Sequence, residues 1–425
     1  MAKLNHDRGM VMSEETLLPE KFGPLQGVKI VSTGTLIAQP FAAELASEMG
    51  AEVIQIERVG VGDTGWRNIG VRIPTTDGKG AVATSWIQER RNVFCVTLDL
   101  SKPRGKEIFL KLVARADIWM ESSKPGTYSK WGLDDASVWK VNPKLVITHV
   151  SGFGQTGDPD FVARASYDIV GQAAGGMLYQ TGFPDPTPPT RAAPWTGDYI
   201  TALFTMWSSL AGLTYARTTG KGQSIDLAQY EAIHKTIGGT MLEYFQKGMV
   251  RERTGNRATG FQPLDTFQAK DGWVVLGALG DVYGRLLQVI GLDPKDPKWE
   301  IARTDLESIE GIEFDAILRG WISERTVAEV VHQMAAGGKV PCSPIMSAKD
   351  MADDPQYRAR GVHVEWNDEQ VGPVKGIGVV PRFSLTPGKI TRGSVPIGHD
   401  NQRVFGEMLG LSAQDLEALS REKVI

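Results

Sequence analysis

The first 150 residues alternate short β-branched runs with amphipathic stretches, and this alternation constrains the fold more than any other feature. Residues 28–31 and 51–56 are predicted strands. Between them, residues 40–49 have helical apolar spacing and end at Gly50, the residue type that most often closes a helix. Further strands are predicted at 92–98, 117–120 and 145–150. Strand–helix–strand units of this kind indicate a mostly parallel sheet in an α/β fold.

The middle of the chain has a different pattern from both ends. Residues 264–277 contain a hairpin-like pair of strands, and helical spacing follows at 312–321 and 327–335. After Pro341 the short α/β rhythm returns, and 425 residues exceed what one hydrophobic core normally serves. We therefore predict two domains. The predicted parts are a mobile N-terminal lead-in at 1–21, a large domain from 22–225 and 340–425, and a smaller α+β domain from 226–339.

Composition excludes several classes of function. A net charge of −4 gives no reason to expect a nucleic acid or an anionic membrane as partner. No apolar run approaches the length of a membrane span, and the N-terminus lacks the apolar core of a signal peptide. The two cysteines, Cys95 and Cys342, lie in apolar segments without neighbours at metal-ligand spacing. The sequence thus predicts a soluble, cytoplasmic protein without a metal site.

The loop after the first strand does not carry the glycine pattern of nicotinamide-binding proteins. It reads Ser-Thr-Gly-Thr-Leu-Ile-Ala-Gln-Pro, with one glycine where that fingerprint needs three. Phosphate groups can still be held by basic side chains near the carboxyl ends of strands. Arg58, Lys124 and Lys130 are the candidates, and solvated surface charges are the alternative interpretation of all three.

Asp198 is the most informative acidic residue. It follows a proline-rich loop and begins a strongly apolar predicted helix, in Trp-Thr-Gly-Asp-Tyr. The positive end of a helix favours an ionised carboxylate, which a nucleophile requires. A plain helix cap is the alternative. The turn at 151–154, Ser-Gly-Phe-Gly, lacks the frame of a serine hydrolase but allows a ligand to approach the backbone closely.

From about residue 22 to 425 the chain resembles the class III CoA-transferases, the group that contains formyl-CoA, carnitine and bile-acid CoA-transferases. The resemblance implies a Rossmann-like large domain built from both chain ends, a small domain and an interlocked homodimer. The matching stretches occur in family order: FGPLQGVKIV, MGAEVIQIERVGVGD, LDLSKPRGKEIFLKL, ADIWMESSKPG, NPKLVITHVSGFGQTG, ASYDIVGQAAGG, TGKGQSIDLAQYEA and DDPQYRARG.

The resemblance implies that Asp198 is the nucleophile. It would accept the acyl group of a donor thioester as a mixed anhydride and then hold coenzyme A as an aspartyl thioester. The acceptor acid would then take the CoA through a second anhydride. Because activated carbonyls of similar energy are exchanged, no ATP, metal or tightly bound cofactor is required. Coenzyme A and acyl-CoA are substrates.

The family's CoA contacts carry over in part. Arg58 matches the arginine of the Ile-Glu-Arg motif that contacts the nucleotide, and Lys124 matches a CoA-contacting lysine of the carnitine enzyme. Lys130 stands where formyl-CoA transferase has a CoA-binding arginine. Leu98 and Ser101 are placed beside the adenine.

The residues predicted to surround the acyl group differ from those of formyl-CoA transferase. Ile37 replaces an active-site glutamine and Ser151 a lysine, which makes formyl and oxalyl substrates doubtful. Gly152 and Phe153 complete the predicted oxyanion region. The carnitine and bile-acid branch looks closest.

Two aromatic residues, Trp195 and Tyr199, flank Asp198 as aromatic residues do in the carnitine enzyme. They suit a quaternary ammonium through cation–π attraction, and core packing is the alternative. Tyr167 stands where racemases of the same fold have a catalytic histidine, which favours transfer over racemisation. A racemase-like enzyme and a non-catalytic CoA-binding relative stay open as alternatives.

Overall fold

A computed structural model describes residues 16–425, and its strands follow the predicted alternation. The strands are β1 (Lys29–Ser32), β2 (Glu52–Glu57), β3 (Arg72–Pro74), β4 (Ala81–Ala83), β5 (Phe94–Thr97), β6 (Ile118–Glu121), β7 (Val146–Ser151), β8 (Ser224–Ala228), β9 (Leu264–Gln268), β10 (Trp273–Gly277), β11 (Cys342–Pro344), β12 (His363–Asp368) and β13 (Gly372–Ile377).

Most helices in the described residues are short, and α9 is the longest. The helices are α1 (Pro40–Glu48), α2 (Thr84–Glu89), α3 (Pro103–Val113), α4 (Thr127–Lys130), α5 (Asp135–Trp139), α6 (Pro159–Val162), α7 (Asp168–Ala174), α8 (Met177–Gln180), α9 (Thr196–Thr219), α10 (Gln229–His234), α11 (Thr240–Lys247), α12 (Asp281–Val289), α13 (Lys298–Thr304), α14 (Ile309–Ser323), α15 (Val327–Val331), α16 (Ala348–Asp353), α17 (Pro355–Ala359) and α18 (Ala413–Arg421). Trp66–Asn68 forms a 3₁₀ turn, and His332–Gly337 and Gln402–Met408 are π-helical.

Six strands form one parallel sheet in the order β5-β2-β1-β6-β7-β8. Four of them, β2, β5, β6 and most of β7, are buried along their length. Their apolar runs therefore fit a sheet covered on both faces. The predicted mixed α/β fold with a parallel sheet is confirmed. In such sheets ligands bind beyond the carboxyl ends of the strands, which here are Ser32, Glu57, Thr97, Glu121, Ser151 and Ala228.

The helices that cover the sheet present the faces that their sequences predict. In α3 the residues Ile108, Phe109, Leu112 and Val113 are buried, as the helical spacing requires. Helix α1 ends before Gly50, whose φ of +92° is accessible to glycine and strained for other residues. A Cβ at this position would lie 1.8 Å from the carbonyl oxygen of Phe22, so glycine also permits the close approach of the two segments.

The described chain divides into two compact units. The larger contains residues 16–171, 194–236 and 361–425 and holds the parallel sheet, and the smaller contains residues 172–193 and 237–360. The predicted domain boundaries, at 225/226 and 339/340, lie elsewhere and stay a prediction. The segment 172–193, which belongs to the smaller unit, gave no signal of this in the sequence.

The smaller unit has its own core around an antiparallel sheet, β11-β10-β9. The hairpin predicted at 264–277 is β9 paired antiparallel with β10. Helices α12 to α15 pack against it through buried side chains that include Leu286, Phe314, Leu318 and Val330.

Some local predictions need correction or fall outside the described residues. The apolar spacing from Tyr230 to Phe245 predicts one helix, but the structure divides this segment into α10 and α11, because Gly238 adopts a left-handed φ of +65° between them. The lead-in predicted at 1–21 lies largely outside the described residues, and the part that is described buries Leu17 and Leu18 in the core of the larger unit. Cys95 is buried and Cys342 half-buried, and both are free thiols. Among residues 16–425 no helix is long and apolar enough to cross a bilayer.

Candidate active site

A cavity of about 330 Å³ opens in the larger unit at the carboxyl ends of β7 and β8. It contains the candidate nucleophile and many hydroxyl groups. The lining residues used below are Thr35, Leu36, Ser123, Lys124, Ser151, Gly152, Arg164, Ser166, Tyr167, Asp198 and Gln229. The parallel sheet brings these residues together from distant parts of the sequence, because the loops after its strands all emerge at one edge.

Asp198 lies in the first turn of α9 but does not cap the helix. The capping position belongs to Trp195, whose side chain makes no capping hydrogen bond. The Asp198 backbone N–H instead donates to Oδ1 of Asp168, over 3.0 Å. A distant carboxylate thus satisfies the helix end, and the Asp198 side chain is left for another role. The capping interpretation of Asp198 is therefore wrong.

The two oxygens of the Asp198 carboxylate have different surroundings. Oδ1 accepts a hydrogen bond from Nε2 of Gln229. Oδ2 has no hydrogen-bond partner among residues 16–425, although the residue is only 8% exposed. One oxygen is thus held by the protein, while the other is available to a reactant in the cavity.

Burial raises the pKa of Asp198 to about 7, and the negative charge of Asp168 adds to this rise. The hydrogen bond from Gln229 acts in the opposite direction and is outweighed. We expected the helix end to keep this carboxylate ionised, and desolvation overrides that effect. A carboxyl with a pKa near 7 changes charge within the physiological range, which is typical of functional sites.

Gln229 is held in place by a second hydrogen bond. It begins α10 directly after β8, is 4% exposed, and accepts from Oγ of Ser166 at its Oε1, over 2.8 Å. Two glycines make room for this arrangement. A Cβ at Gly152 would lie 2.3 Å from Cβ of Ser166, and a Cβ at Gly171 would lie 2.6 Å from Oε1 of Gln229.

The predicted oxyanion turn is only partly in the cavity. Ser151 and Gly152 line it, and Oγ of Ser151 accepts from the N–H of Gly154 over 2.9 Å, which fixes the turn. Phe153 does not line it and packs against Phe161 and Tyr230, with ring centroids 5.8 Å and 5.7 Å away.

A strained backbone forms another part of the cavity wall. Leu36 has a φ of +64°, which is unfavourable for a leucine. Its N–H donates to Oδ2 of Asp63 over 2.8 Å, and its carbonyl accepts from the buried guanidinium of Arg90. These two contacts hold the loop against the strain. Ile37, predicted for the substrate region, is instead 2% exposed and packed in the core, and it does not line the cavity.

A second cavity, of about 480 Å³, lies beside the first in the larger unit. Its lining includes Arg58, Leu98 and Ser101, three of the five residues predicted to contact CoA. Thr35 and Ser123 line both cavities and therefore form the junction between them. We call the two spaces the Asp198 cavity and the Arg58 cavity.

The other two predicted CoA contacts lie in different places. Lys124 lines the Asp198 cavity, and Lys130, exposed at the end of α4, lines neither cavity. Among the described residues, the side chains of Arg58, Lys124 and Arg164 form no ion pair, and the Arg164 guanidinium stacks 3.7 Å from the Phe161 ring. Lys124 and Arg164, two cations without an ion-pair partner among the described residues, line the same cavity as Asp198 and favour an anionic ligand.

The predicted aromatic residues do not form a common pocket. Tyr167 lines the Asp198 cavity and is 66% exposed. Trp195 packs against the core of the larger unit. Tyr199 donates to Oε1 of Glu89 over 2.6 Å and packs edge-to-face on Phe41. Since neither Trp195 nor Tyr199 lines the cavity, the core-packing interpretation fits both residues better than a cation–π site.

A buried histidine supports the junction from behind. Nδ1 of His149 lies 2.7 Å from Oε1 of Glu121, and Nε2 lies 3.0 Å from Oδ1 of Asp135. Burial opposes the charged imidazole, but its hydrogen bonds to the two carboxylates raise the pKa of His149 to about 9. The other Glu121 oxygen accepts from the N–H of Ser123, so this charged group fixes a junction residue.

Sequence reasoning missed Gln229, Ser166, Asp168 and the His149 group. Gln229 and Ser166 lie inside two stretches that carry the family resemblance, but a lone glutamine or serine has no pattern that indicates a role. The available signal was positional, since Gln229 directly follows a strand at the edge where ligands bind. Within residues 16–425 no group of three or more histidine, cysteine, aspartate or glutamate side chains is arranged to hold a metal ion.

Comparison with known proteins gives a consistent result. The sequence profile of CoA-transferase family III matches residues 25–401. A bile acid CoA-transferase of Clostridium scindens is 37% identical over 418 residues, which are 95% of this chain and 90% of that protein. A succinyl-CoA–D-citramalate CoA-transferase of Chloroflexus aurantiacus is 34% identical over 404 residues, covering 95% of this chain and 98% of the relative.

Solved structures agree with the fold. A CAIB/BAIF family protein of Brucella suis superimposes with a TM-score of 0.78 at 27% identity, covering 91% of this chain and all of that one. A protein of Mycobacterium tuberculosis gives a TM-score of 0.75 at 24% identity, covering 90% of this chain and 99% of its own. The second likeness concerns the fold alone.

Proposed function

The chain belongs to CoA-transferase family III, and we propose that it moves CoA from an acyl-CoA donor to a carboxylic acid through Asp198. One observation carries the proposal. A buried carboxylate with a raised pKa presents an oxygen without a hydrogen-bond partner in a cavity that adjoins a second, cation-bearing one. Desolvation makes such an oxygen a better nucleophile once it is ionised.

The proposed route has two parts that mirror each other. Oδ2 of Asp198 attacks the donor thioester carbonyl and expels CoA thiolate, which leaves a mixed anhydride on the enzyme. The thiolate then attacks Cγ of Asp198, so that the donor acid departs and an aspartyl-CoA thioester remains. The acceptor carboxylate reverses these two steps with its own acyl group. Ser151 and Gly152 line the cavity, and we propose that backbone N–H groups of this turn stabilise the oxyanion on the acyl side.

Coenzyme A would enter as a substrate through the Arg58 cavity. Arg58 offers a guanidinium for phosphate, and Leu98 and Ser101 lie in the same cavity for the nucleotide. The acyl end of the molecule would pass Thr35 and Ser123 to reach Asp198. Lys124 lies past that junction and would meet the end of the CoA arm or the acid.

The carnitine and bile-acid branch is our proposal for the acid. It is supported by the 37% identity to the bile acid enzyme. The relative that is named for succinyl-CoA and D-citramalate is 34% identical, and its substrates are the next to test. The two cations that line this cavity, Lys124 and Arg164, favour acids that carry a further negative or hydroxyl group. They disfavour a quaternary ammonium, so within this branch they support hydroxylated acids over carnitine-like ones.

An interlocked homodimer and a cytoplasmic location complete the proposal. Support for the dimer comes from the family resemblance and from large apolar side chains on α9 that remain exposed within the single chain. Leu203 is 55% exposed and Trp207 is 58% exposed. A second copy would cover such residues, since large apolar patches on soluble proteins commonly mark interfaces.

Nothing in the cavity favours the racemase alternative. Proton exchange at an α-carbon needs two bases that face the same carbon. Among the described residues that line the Asp198 cavity, Asp198 is the one carboxylate, and no histidine is present.

The decisive experiment is to trap the enzyme-bound thioester. Incubation with donor acyl-CoA alone, followed by borohydride or hydroxylamine, should modify Asp198, and peptide mass spectrometry would locate the change. Asp198→Ala should take up no label. A label elsewhere, or none under conditions where the enzyme transfers CoA, would refute the aspartyl route. Transfer itself is measured by pairing bile-acid, carnitine-like, hydroxy-acid and dicarboxylate substrates.

A further inference from the structure

The asymmetry of the Asp198 carboxylate assigns different roles to its two oxygens. Oδ2 has no hydrogen-bond partner among residues 16–425, and Asp198 lines the cavity, so Oδ2 is the oxygen available to attack a donor. Oδ1 accepts from Gln229 and is the oxygen that stays bonded to Cγ as the carbonyl of the acylated residue. Gln229 therefore touches the carbonyl oxygen of each enzyme-bound intermediate.

We propose that Gln229 is a catalytic residue that stabilises the oxyanion on Oδ1 whenever Cγ of Asp198 is attacked. This inference rests on the proposed function. It assigns an oxyanion donor to the steps in which Cγ of Asp198, rather than the carbonyl of the acyl group, is attacked. Oxyanion donors are most effective when the protein fixes them before the charge develops. Ser166 and the two adjacent glycines fix Gln229 in this way.

The step balances without any further reactant. The thiolate sulfur of CoA attacks Cγ of the mixed anhydride and supplies the electron pair of the new C–S bond. The π electrons of Cγ=Oδ1 move to Oδ1, where the Nε2–H of Gln229 meets the charge. When the carbonyl re-forms, the Cγ–Oδ2 bond breaks and the donor acid leaves as a carboxylate. Attack by the acceptor carboxylate on the aspartyl thioester follows the same course and expels thiolate.

Two hydrogen bonds, to Asp198 and from Ser166, hold the Gln229 amide with its N–H end toward Asp198. Ser166 donates to Oε1, and the N–H end of the amide points at Oδ1. The absence of a Cβ at Gly152 lets Ser166 approach, and the absence of one at Gly171 accommodates Oε1. A rotation of the amide would turn its oxygen toward the Asp198 carboxylate and lose that hydrogen bond in a buried site, whereas the Ser166 hydroxyl could accept from the N–H end instead.

A neutral donor suits this position better than a cation. The charged group that acts on the Asp198 carboxylate is Asp168 on α7. Lys124 and Arg164 line the same cavity, and Tyr199 follows Asp198 on α9. A cation bonded to Oδ1 would hold the pKa of Asp198 low and make it a poorer nucleophile. An amide leaves the pKa near 7 and still stabilises a full negative charge on Oδ1.

The test separates the two halves of the reaction in the full-length protein. Gln229→Leu removes the donor, Ser166→Ala removes its orienting partner, and Gln39→Leu is the control. Gln39 is another fully buried glutamine in the larger unit, bonded to Ser32. Each variant is mixed with donor acyl-CoA, and rapid quenching follows the release of free thiol and the appearance of the aspartyl-CoA thioester.

We expect Gln229→Leu to slow aspartyl thioester formation about 10²-fold, the usual effect of losing one oxyanion donor, while thiol release falls much less. Free thiol should therefore accumulate transiently. Ser166→Ala should show the same imbalance to a smaller degree, and Gln39→Leu should keep the wild-type ratio of the two rates. The acidic limb of the pH profile should also move to higher pH in Gln229→Leu, because the Gln229 bond lowers the pKa of Asp198.

Two outcomes would overturn the inference and one would overturn its premise. If both rates fall equally in Gln229→Leu with an unchanged pH profile, the residue is structural. If Ser166→Ala folds normally and shows no imbalance, the orienting role is wrong. If the wild type forms no adduct on Asp198 at all, the proposed function fails rather than this assignment.

Discussion

The Asp198 cavity and the Arg58 cavity are neighbours in the larger unit, yet they hold their key side chains in opposite ways. Asp198 is buried, bonded through one oxygen and shifted in pKa by its surroundings. Arg58 is exposed and has no ion-pair partner among the described residues. Burying a charged carboxylate costs free energy of folding, and such an environment suits a reacting group. An exposed guanidinium has little such cost and suits reversible binding.

This difference suggests separate roles for the two cavities, one in the chemical steps and the other in substrate binding. Substitutions in the Asp198 cavity should change the rate of the chemical steps, whereas those in the Arg58 cavity should change the affinity for the CoA part of the substrate. The predictions below test that division, from the largest expected effect to the smallest.

Replacing the proposed nucleophile, Asp198, should abolish CoA transfer and leave acyl-CoA binding intact. Asp198→Asn keeps the shape and the bond from Gln229 but loses the nucleophilic oxygen, so CoA transfer should fall by at least about 10⁴-fold. Acyl-CoA should still bind with an affinity near that of the wild type, as measured by calorimetry. A parallel loss of binding would show that the two cavities are not separable.

The same substitution should stabilise the folded protein. The pKa of Asp198 is raised from 3.8 to about 7, so the folded state loses stability relative to the unfolded state as the pH rises from about 4 to 7. Asn carries no charge, and Asp198→Asn should gain on the order of 2 kcal/mol of unfolding free energy at pH 8. Urea unfolding at pH 8 and pH 4.5 checks this, and an equal gain at both pH values would contradict it.

Removing the cation from the other cavity should have a smaller and different effect. Arg58→Gln should raise KM for acyl-CoA about tenfold and leave kcat nearly unchanged, since one charge-assisted contact to phosphate is lost. The wild-type KM should also rise with ionic strength more steeply than that of the variant. Lys79→Gln, at an exposed lysine outside both cavities, is the matched control. An unchanged KM would remove Arg58 from the proposed CoA site.

The neighbouring carboxylate should tune the pH dependence. In Asp168→Asn the negative charge that helps to raise the pKa of Asp198 is gone, while an amide oxygen can still accept from the Asp198 N–H. The acidic limb of the rate profile should move about one unit toward lower pH, with a gain of a few-fold at pH 6 and little change at pH 8. A limb that stays in place would mean that burial alone sets this pKa.

The smallest expected effect concerns His149, which lies behind the junction of the two cavities. The pKa of His149 is raised from 6.5 to about 9, so its contribution to stability is complete below pH 6.5 and is lost as the pH rises through 9. The unfolding free energy of the wild type should fall by on the order of 1 kcal/mol across this window. His149→Gln should be less stable at pH 6.5 and flatter with pH. An equally steep fall in the variant would assign the effect to other groups.

The sequence predicted the parts of this molecule that depend on local periodicity. The buried strands β5 and β6 are short, mostly apolar runs, β2 is rich in β-branched residues, and α3 shows helical apolar spacing, so the parallel sheet could be derived. Asp198 was found because it begins an apolar helix. Its ionisation was misjudged, because burial and the charge of Asp168 are tertiary effects that helix position does not reveal.

The partners of Asp198 were beyond such reasoning for a geometric reason. Gln229 and Ser166 are separated by 63 positions in the chain and meet because their loops leave neighbouring parts of one sheet edge. Ile37 was chosen by position in the family resemblance, and the left-handed turn at Leu36 places Ile37 in the core. Contacts across loops depend on such backbone details, which carry little periodic signal.

Thr35 and Ser123 line both cavities and form the connection between them. If CoA binds as proposed, its thiol arm passes between these two residues whatever acid it carries, and the acid lies in the Asp198 cavity. Arg164 and Tyr167 line the Asp198 cavity but not the Arg58 cavity. Such residues can therefore change to accept new acids without altering the proposed contacts to CoA. A binding site for the shared CoA part, separate from the site for the variable acid, would let one scaffold acquire new substrates by changing a few side chains.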